Sequence, residues 1–551
     1  MNITSFGGII PRLAEHKLAL NQATIAHDCR LRDGQLEAWR QPCRVADGGG
    51  DTIYFYGCCP LYWSNKPSVT ELTPDWGRFY ITGKDCHPYL ETGEVDDCCG
   101  ITYYRVGVPA PTQAPTASGY ADCSEETDSR TYVYTYVTKW GEESPPSPPS
   151  NVVMAEDGDR VTVSGFVRPP DGYAVDHINV YRLATGFRVA DGKIQTPMSD
   201  YQFLYSVALN RNAVYDDTRQ MYLGHVLETQ YDRPPPEMAG VLTIGDQTRL
   251  AGFNKNKIFL SEAFQPHNWP AKYDLTLDFN IVHMLNQDQR LFVTTDSIPY
   301  IIDVSSCDDT KCVPVTSLEI PLPDIGCHSA HGAIMTHHGM FYATPFGIVL
   351  LQANAQWHIV TAKWFGEKEW LKLRPDTIRM AYWEGYLFFA TDMATFLLDI
   401  NGGVYGDMEG SELVTLSDRP VDMITTNTGK LLFLQDNGIW EWDGGTALRP
   451  YHWESKQITA KSLAGQDTPQ SAGPIRDYQW WPTSVKLHGQ GSLQICDSHE
   501  HPIFDRWLGT ERWHRVRRAG RHLWYRIRLY GTHPIEAVSM GTSNVTLNQG
   551  T

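Results

Sequence analysis

The sequence predicts an all-β protein: a β-propeller with an inserted immunoglobulin- or fibronectin-like β-sandwich and a small β-sandwich at the C-terminus. Three observations predict it. The first is a phrase that recurs between residues 240 and 445. It reads RLFVTTDSIPYIIDV from Arg290, GMFYATPFGIVLLQA from Gly339, GYLFFATDMATFLLDI from Gly385 and GKLLFLQDNGIWEWDGG from Gly429, with a looser copy, RLAGFNKNKIFLSEA, from Arg249. Each copy is two apolar, aromatic-rich runs around a bend of Asp, Asn, Gly or Pro, which is the pattern of a hairpin. Taking Leu250, Leu291, Met340, Tyr386 and Lys430 as equivalent, the steps are 41, 49, 46 and 44 residues. Four-stranded propeller blades repeat at about 40–50 residues. The second observation is a set of short alternating strands between residues 110 and 240, and the third is composition. Aromatics make up 12% of the 551 residues, and 46 Gly and 34 Pro supply many turns.

Taken in order, the elements divide the chain into five parts. Residues 1–60 supply N-terminal strands to the propeller, with a hairpin around Asp33-Gly34. Residues 61–108 form a Cys-rich loop or platform insertion. PAPTQAPTASG (109–119) has the composition of an interdomain linker. It opens the sandwich, residues 109–240, where RTYVYTYVTKWGEESPPSPPS (130–150), VTVSGF (161–166), HINVYRLA (177–184) and YQFLYSVAL (201–209) alternate as half-buried strands do. Residues 241–465 are the blades. Residues 466–551 form the C-terminal sandwich, in which HLWYRIRLY places Leu523, Tyr525, Ile527 and Leu529 on one face and Trp524, Arg526, Arg528 and Tyr530 on the other.

Charge and motifs narrow the function. The formal net charge is −18, which opposes adhesion to phosphates but suits a wall past which a duplex slides. No apolar run approaches the roughly 18 residues that span a bilayer. The start lacks the basic and apolar regions of a secretory signal, so folding in a cytoplasm is expected. Free thiols are then the expectation for the 12 cysteines. Cys58, Cys59, Cys86, Cys98 and Cys99 cluster near His87, but adjacent cysteines are poor zinc ligands. His337 and His338 are neighbours on a strand, face opposite ways and cannot share one metal. GGGD (48–51) precedes no helix and makes no phosphate cradle. Asp288, Asp296, Asp303, Asp392, Asp399 and Asp443 fall at turns and strand ends, where Asp has structural reasons to be. No nucleophile elbow, Walker loop, zinc helix or dinucleotide fingerprint is present, so neither enzymatic activity nor a cofactor is expected.

Three phrases resemble a known family. Phe6, Gly8, Ile9, Pro11 and Arg12, followed by Asn21, Ala23, Ala26, Asp28 and Cys29 and then by Gly34, Leu36 and Trp39, match an opening common in tail proteins of tailed bacteriophages. The YTYVTKWGEES phrase resembles the sandwich insert of those proteins. KIFLSEAFQPHNWP (257–270) resembles a phrase of tail nozzle or stabilisation proteins, filled here by Ser261, Glu262, Pro266, Trp269 and Pro270. The resemblance implies a structural virion protein, the tail nozzle or hub of a short-tailed phage, assembled in the host cytoplasm. It implies a homo-oligomeric ring of six copies below portal and adaptor, docking tail fibres or spikes and passing DNA through its lumen without specific binding or membrane insertion. It also implies a propeller closed by chain from both ends.

One segment stands apart in charge. Phe504–Tyr530 carries Arg506, Arg512, Arg515, Arg517, Arg518, Arg521, Arg526 and Arg528 against Asp505 and Glu511. The expected role is a basic patch facing an acidic protein neighbour, which a second copy can supply. The alternative function is a receptor-binding or glycan-depolymerising tail protein, with Trp357, Trp364, Trp370 and Trp383 stacking on sugars.

Overall fold

The computed structural model describes residues 1–541 apart from short interruptions, chiefly 120–127, 305–310, 315–324, 404–409 and 461–478. Among the described residues the chain is almost wholly β, and its α-helix, Glu367–Lys372, is a single short turn and a half. Two compact units result, one of Met1–Ser64, Phe292–Ile301 and Cys312–Thr551, the other of Asn65–Leu291 and Ile302–Lys311.

In the first unit the repeated phrases become the inner strands of antiparallel four-stranded sheets. Ala333–Thr336, Gly339–Thr344, Gly347–Leu351 and Trp357–Ile359 make one, and Arg379–Trp383, Tyr386–Ala390, Thr395–Asp399 and Glu412–Leu416 follow as a four-stranded run at one end of a ten-stranded sheet. Every residue of Gly339–Thr344, Gly347–Leu351, Tyr386–Ala390 and Leu431–Gln435 is buried. These runs read as continuously apolar because both faces of each strand are covered. Phe388 meets Phe433 at 5.9 Å and Trp442 at 5.3 Å between ring centroids, joining successive sheets. The turn between Leu431–Gln435 and Gly438–Glu441 holds Asp436 and Asn437 at φ of 50° and 55°. That pair of left-handed residues is what a two-residue hairpin needs, and Asp and Asn tolerate it best after Gly.

The two ends of the chain complete these sheets. Cys43–Asp47 pairs with Gly438–Glu441 as the fourth strand of the sheet begun by Asp422–Thr425. Ala23–His27 lies between Glu412–Leu416, which it meets in parallel at His27 and Thr415, and Tyr451–Ser455, which runs antiparallel. The Phe6-to-Trp39 phrase is what fixes this docking. Gly8 packs so close that a Cβ would fall 2.2 Å from the Leu413 carbonyl oxygen. The Trp453 indole donates to the Gly7 carbonyl at 3.0 Å, and its ring meets Phe6 edge-on. Trp39 donates to the Cys29 carbonyl and packs on Trp442 and Tyr386. Asp28 is buried, and its Oδ1 accepts from the Ser417 amide at 2.9 Å and from Arg449 Nη1 at 3.0 Å. Arg449 also donates to Asp418 at 2.6 Å.

The C-terminal segment, expected as a small sandwich over 466–551, pairs with other parts of the chain in its described strands. Ile535–Gly541 pairs with Ser484–Gly489 but also with Asn2–Ile3 and, at Leu36, with Gln35–Ala38. Trp524–Gly531 pairs with Tyr451–Ser455 on one side and Gly491–Cys496 on the other. An apolar strand face is indifferent to which chain segment covers it, and here the N-terminal strands share the work.

In the second unit, Asp128–Thr138 pairs with Val153–Ala155 and Val175–Thr185, and Gln202–Ala208 extends the sheet. A second sheet, Thr116–Ser118, Val161–Ser164 and Tyr215–Asp217, shares its hydrophobic cluster through Tyr132, Tyr134, Val161 and Val163. SPPSPPS explains the free flank of the long strand. Proline has no amide hydrogen, so only the serines can donate. Ser144, Ser147 and Ser150 donate amides to the Tyr136, Tyr134 and Tyr132 carbonyls, and their hydroxyl oxygens accept the amides of the same tyrosines. Trp269 is buried against Leu72, Tyr80 and Leu250, and its indole donates to the Pro266 carbonyl.

Cys59 and Cys99 each take part in a disulfide bond, which corrects the free-thiol expectation for these two. That expectation rested on the missing export signal, a property of the chain's address and not of its geometry. Cys29, Cys43, Cys86, Cys327 and Cys496 are free. Cys58, Cys98 and Cys307 lie outside the described residues.

Arg449→Met should lower unfolding stability by about 3–5 kcal/mol, because it leaves Asp28 and Asp418 buried without their cation. Ser147→Ala should cost about 1–3 kcal/mol by orphaning the Tyr134 amide. Denaturant titration of each variant checks both values.

Candidate functional site

The arginine-rich segment is built from three strands at the end of the large sheet of the first unit. Gly491–Cys496 and Pro502–Leu508 form a hairpin, and Trp524–Gly531 lies on the other side of Gly491–Cys496. Pro502–Leu508 is the outermost strand of this sheet among the described residues. Alternation sorts the side chains of Trp524–Gly531. Tyr525, Ile527 and Leu529 are fully buried, while Trp524, Arg526 and Arg528 lie on the opposite face. Leu523, expected on the buried face, precedes the strand and is exposed.

The seven described arginines of this segment do not form one patch. Arg526 places Nη2 2.6 Å from Glu15 and Nη1 2.6 Å from Glu500, with Glu454 at 3.3 Å. Arg528 donates Nε to Glu454 at 2.6 Å, and its Nη2 pairs with Glu500. Glu454 is only 5% exposed. These two arginines therefore bind the N-terminal segment, the 451–455 strand and the 497–501 turn together within one chain. Both were expected in a patch facing a protein neighbour, and both already have carboxylate partners within this chain. Sequence periodicity placed them on the correct face, but the carboxylates opposite come from segments as distant as Glu15.

The remaining described arginines do face solvent. Arg506, Arg512, Arg515, Arg517 and Arg521 are exposed, and Arg518 lies outside the described residues. Arg521 rests over the Trp481 ring at 4.8 Å and Arg506 near Phe504 at 5.9 Å. His514 shows that part of the set is contiguous. Partial burial and then the nearby charges of Arg512 and Arg506 hold its pKa below the ordinary histidine value. Trp507, on the outermost strand, is 62% exposed and sits beside Arg506. Exposed arginines can pair with carboxylates, and an exposed indole on the outermost described strand can accept an aromatic or extended partner. Nothing in the sequence marked Trp507 for this, because its strand carries three consecutive exposed residues, Asp505 to Trp507, where strict alternation would bury one.

The other sequence candidates scatter. Trp364 and Trp370 are fully buried, and Trp370 donates to the Thr344 carbonyl, so neither can stack on a sugar. Trp383 is half-buried, donates to the Gly429 carbonyl and packs near Trp39. His337 and His338 lie in the turn before Gly339 and not on a strand, and their rings meet tilted at 42° with centroids 3.8 Å apart, which corrects the expectation that they face opposite ways. Asp288 and Asp443 sit at left-handed turn positions, and Asp443 accepts the Arg40 amide.

No family model and no curated protein sequence matches the chain. Among solved structures, the computationally designed Ika8 protein aligns over 53% of this chain and 92% of its own, at 8% identity and a TM-score of 0.27. PorZ, an essential bacterial surface component of the type-IX secretion system of Porphyromonas gingivalis, aligns over 90% of this chain and 82% of its own, at 10% identity and a TM-score of 0.25. At these scores neither likeness carries an argument about this protein.

The two classes of arginine should separate on mutation. Arg528→Ala should cost about 1.5–3 kcal/mol of stability, because Glu454 loses a charged donor while buried. The pair Arg515→Glu and Arg517→Glu should stay within about 0.5 kcal/mol of the parent. Thermal unfolding of both variants distinguishes them.

Proposed function

We propose that this chain is a structural virion protein, the tail nozzle or hub of a short-tailed bacteriophage. Its role in that reading is a ring that conducts the genome and docks fibres. The observation that carries the proposal is the use made of the N-terminal phrase. Phe6, Gly8, Ile9, Ala23, Ala26, Asp28, Cys29, Leu36 and Trp39, nine of the thirteen residues of the resemblance, are buried where the chain's first strands enter sheets formed some 400 residues later, while Pro11, Arg12, Asn21 and Gly34 are not. We read the phrase as the device that closes the fold. We read the successive four-stranded sheets as blades of a propeller closed from both chain ends, and the two-layered 109–240 segment as its inserted sandwich.

Charge fits the same reading. A duplex moving over many turns tolerates no phosphate grip at each step, since every Lys or Arg contact releases counterions and adds to binding. With 64 acidic residues against 46 basic ones, an acidic bore repels the backbone over a screening length of about 8–10 Å. The five exposed arginines then belong at a contact between copies or with an adaptor.

Electron microscopy of the purified protein, alone and with phage particles, tests the proposal. The expected result is a ring that joins the tail, with Arg512–Arg521 against a protein neighbour. A monomer that never joins a tail would sink the reading. Arginines 512–521 facing an open channel would refute the assignment of faces.

A further inference from the structure

Two surfaces of the first unit carry opposite charge. One is a pocket of about 660 Å³ where the hairpin at Asp33-Gly34 meets the turn at Glu384 and the paired strands Thr395–Asp399 and Glu412–Leu416. Four carboxylates line it, Asp33, Glu384, Asp399 and Glu412, against one cation, Arg30. Arg30 is already engaged, its guanidinium 4.7 Å from the Trp39 ring and its Nε 3.9 Å from Glu37. Asp399 and Glu412 stand directly opposite one another on neighbouring strands, where like charges weaken the pair. The Gly8 amide fixes Glu412 by donating to Oε2 at 2.5 Å. Burial above all, and then Asp399, raises the Glu412 pKa against the Gly8 amide and the charge of Lys363. Asp33 and Glu384 are exposed at the pocket's rim, in left-handed turns with φ of 52° and 47°.

The other surface holds Arg506, Arg512, Arg515, Arg517 and Arg521, all exposed. The acid within their segment, Glu511, lies by Lys486 and His488 instead, and none of the five forms an ion pair among the described residues. The fold keeps the two surfaces apart. One sheet runs in the order Cys29–Arg32, Gln35–Ala38, Ile535–Gly541, Ser484–Gly489, His514–Arg515. Its first strand leads into the acidic pocket, and its last carries Arg515. At about 4.8 Å per step, the four steps between these edge strands span roughly 19 Å.

Surfaces so placed do not meet within one chain, but they can meet between two. The basic edge of one copy then lies against the acidic edge of the next, and such a head-to-tail contact repeats until the rotation closes a ring. We propose that Arg512, Arg515 and Arg517 of one copy dock on the pocket of Asp33, Glu384, Asp399 and Glu412 of the next. The guanidinium groups supply the cations the pocket lacks, with bidentate geometry toward its carboxylates. The proposal rests on the ring reading above and names the two sides of its repeating contact.

Sedimentation velocity of the intact protein tests it, with two charge-reversal variants. One carries Asp33→Lys and Glu384→Lys, the other Arg515→Glu and Arg517→Glu. The parent should assemble at about 0.05 M salt, and its dissociation constant should rise about tenfold or more by about 0.5 M as the contact is screened. Each variant alone should sediment as a monomer, because its two edges carry like charge. An equimolar mixture should assemble again, since each reversed edge then meets its complement. Thermal unfolding checks that both variants are folded, and the parent's salt dependence decides the matter without them. A monomeric parent, salt-insensitive assembly, variants that assemble as the parent does, or a mixture that stays monomeric would each overturn the proposal. Rings formed by both variants alone would sink this contact and leave the tail reading standing. Rings that obey the charge swap but never join a tail would do the reverse.

Discussion

The first unit depends on one constraint: its earliest strands are paired with its latest. Ala23–His27 fills a slot between Glu412–Leu416 and Tyr451–Ser455, and Cys43–Asp47 completes the sheet of Gly438–Glu441. Without these strands, two sheets would present open edges, with amides and carbonyls unpaired along each. The Asp28–Arg449–Asp418 cluster makes the slot specific. Two carboxylates flank one guanidinium out of water, so any register other than the observed one strands a buried charge. Closure over such sequence separation is slow to form, because loop entropy is spent before the contacts return it.

Arginine serves this protein mainly as an internal cross-link. Arg449 joins Asp28 to Asp418, Arg526 and Arg528 gather Glu15, Glu454 and Glu500, Arg182 reaches Asp217 and Arg78 reaches Glu142. Its planar, always-charged head makes several directed bonds at once and loses little when desolvated beside aromatic rings. Arg526 also leaves its Nε unmet, while Arg78 leaves both Nε and Nη1 so and lines a pocket. A count of arginines in a segment therefore says little about the charge its surface presents.

The strands and turns of the repeats were legible in the sequence because both are set locally. An apolar run between Asn, Asp or Gly bends becomes a hairpin wherever it lies, as Leu431–Gln435 and Gly438–Glu441 do around Asp436-Asn437. The serine spacing of SPPSPPS was likewise written in the chain, although only the structure revealed that it serves the amides of Tyr132, Tyr134 and Tyr136. The face on which Arg526 and Arg528 lie followed from period-two alternation. Their partners did not, since Glu15 is more than 500 residues away along the chain and periodicity carries no information across that distance.

By itself the sequence determined the all-β class, the position of most strands and the inward face of the C-terminal strand Trp524–Gly531, since each follows from side-chain period and turn chemistry within a few residues. Only the tertiary structure decided that the C-terminal strands share sheets with the N-terminus. It alone divided the described arginines of the C-terminal segment into half-buried internal cross-links and exposed residues, and buried Trp364 and Trp370. Those outcomes depend on which distant surface covers each face, and apolar faces and charged groups accept any complementary partner that the closed chain brings to them.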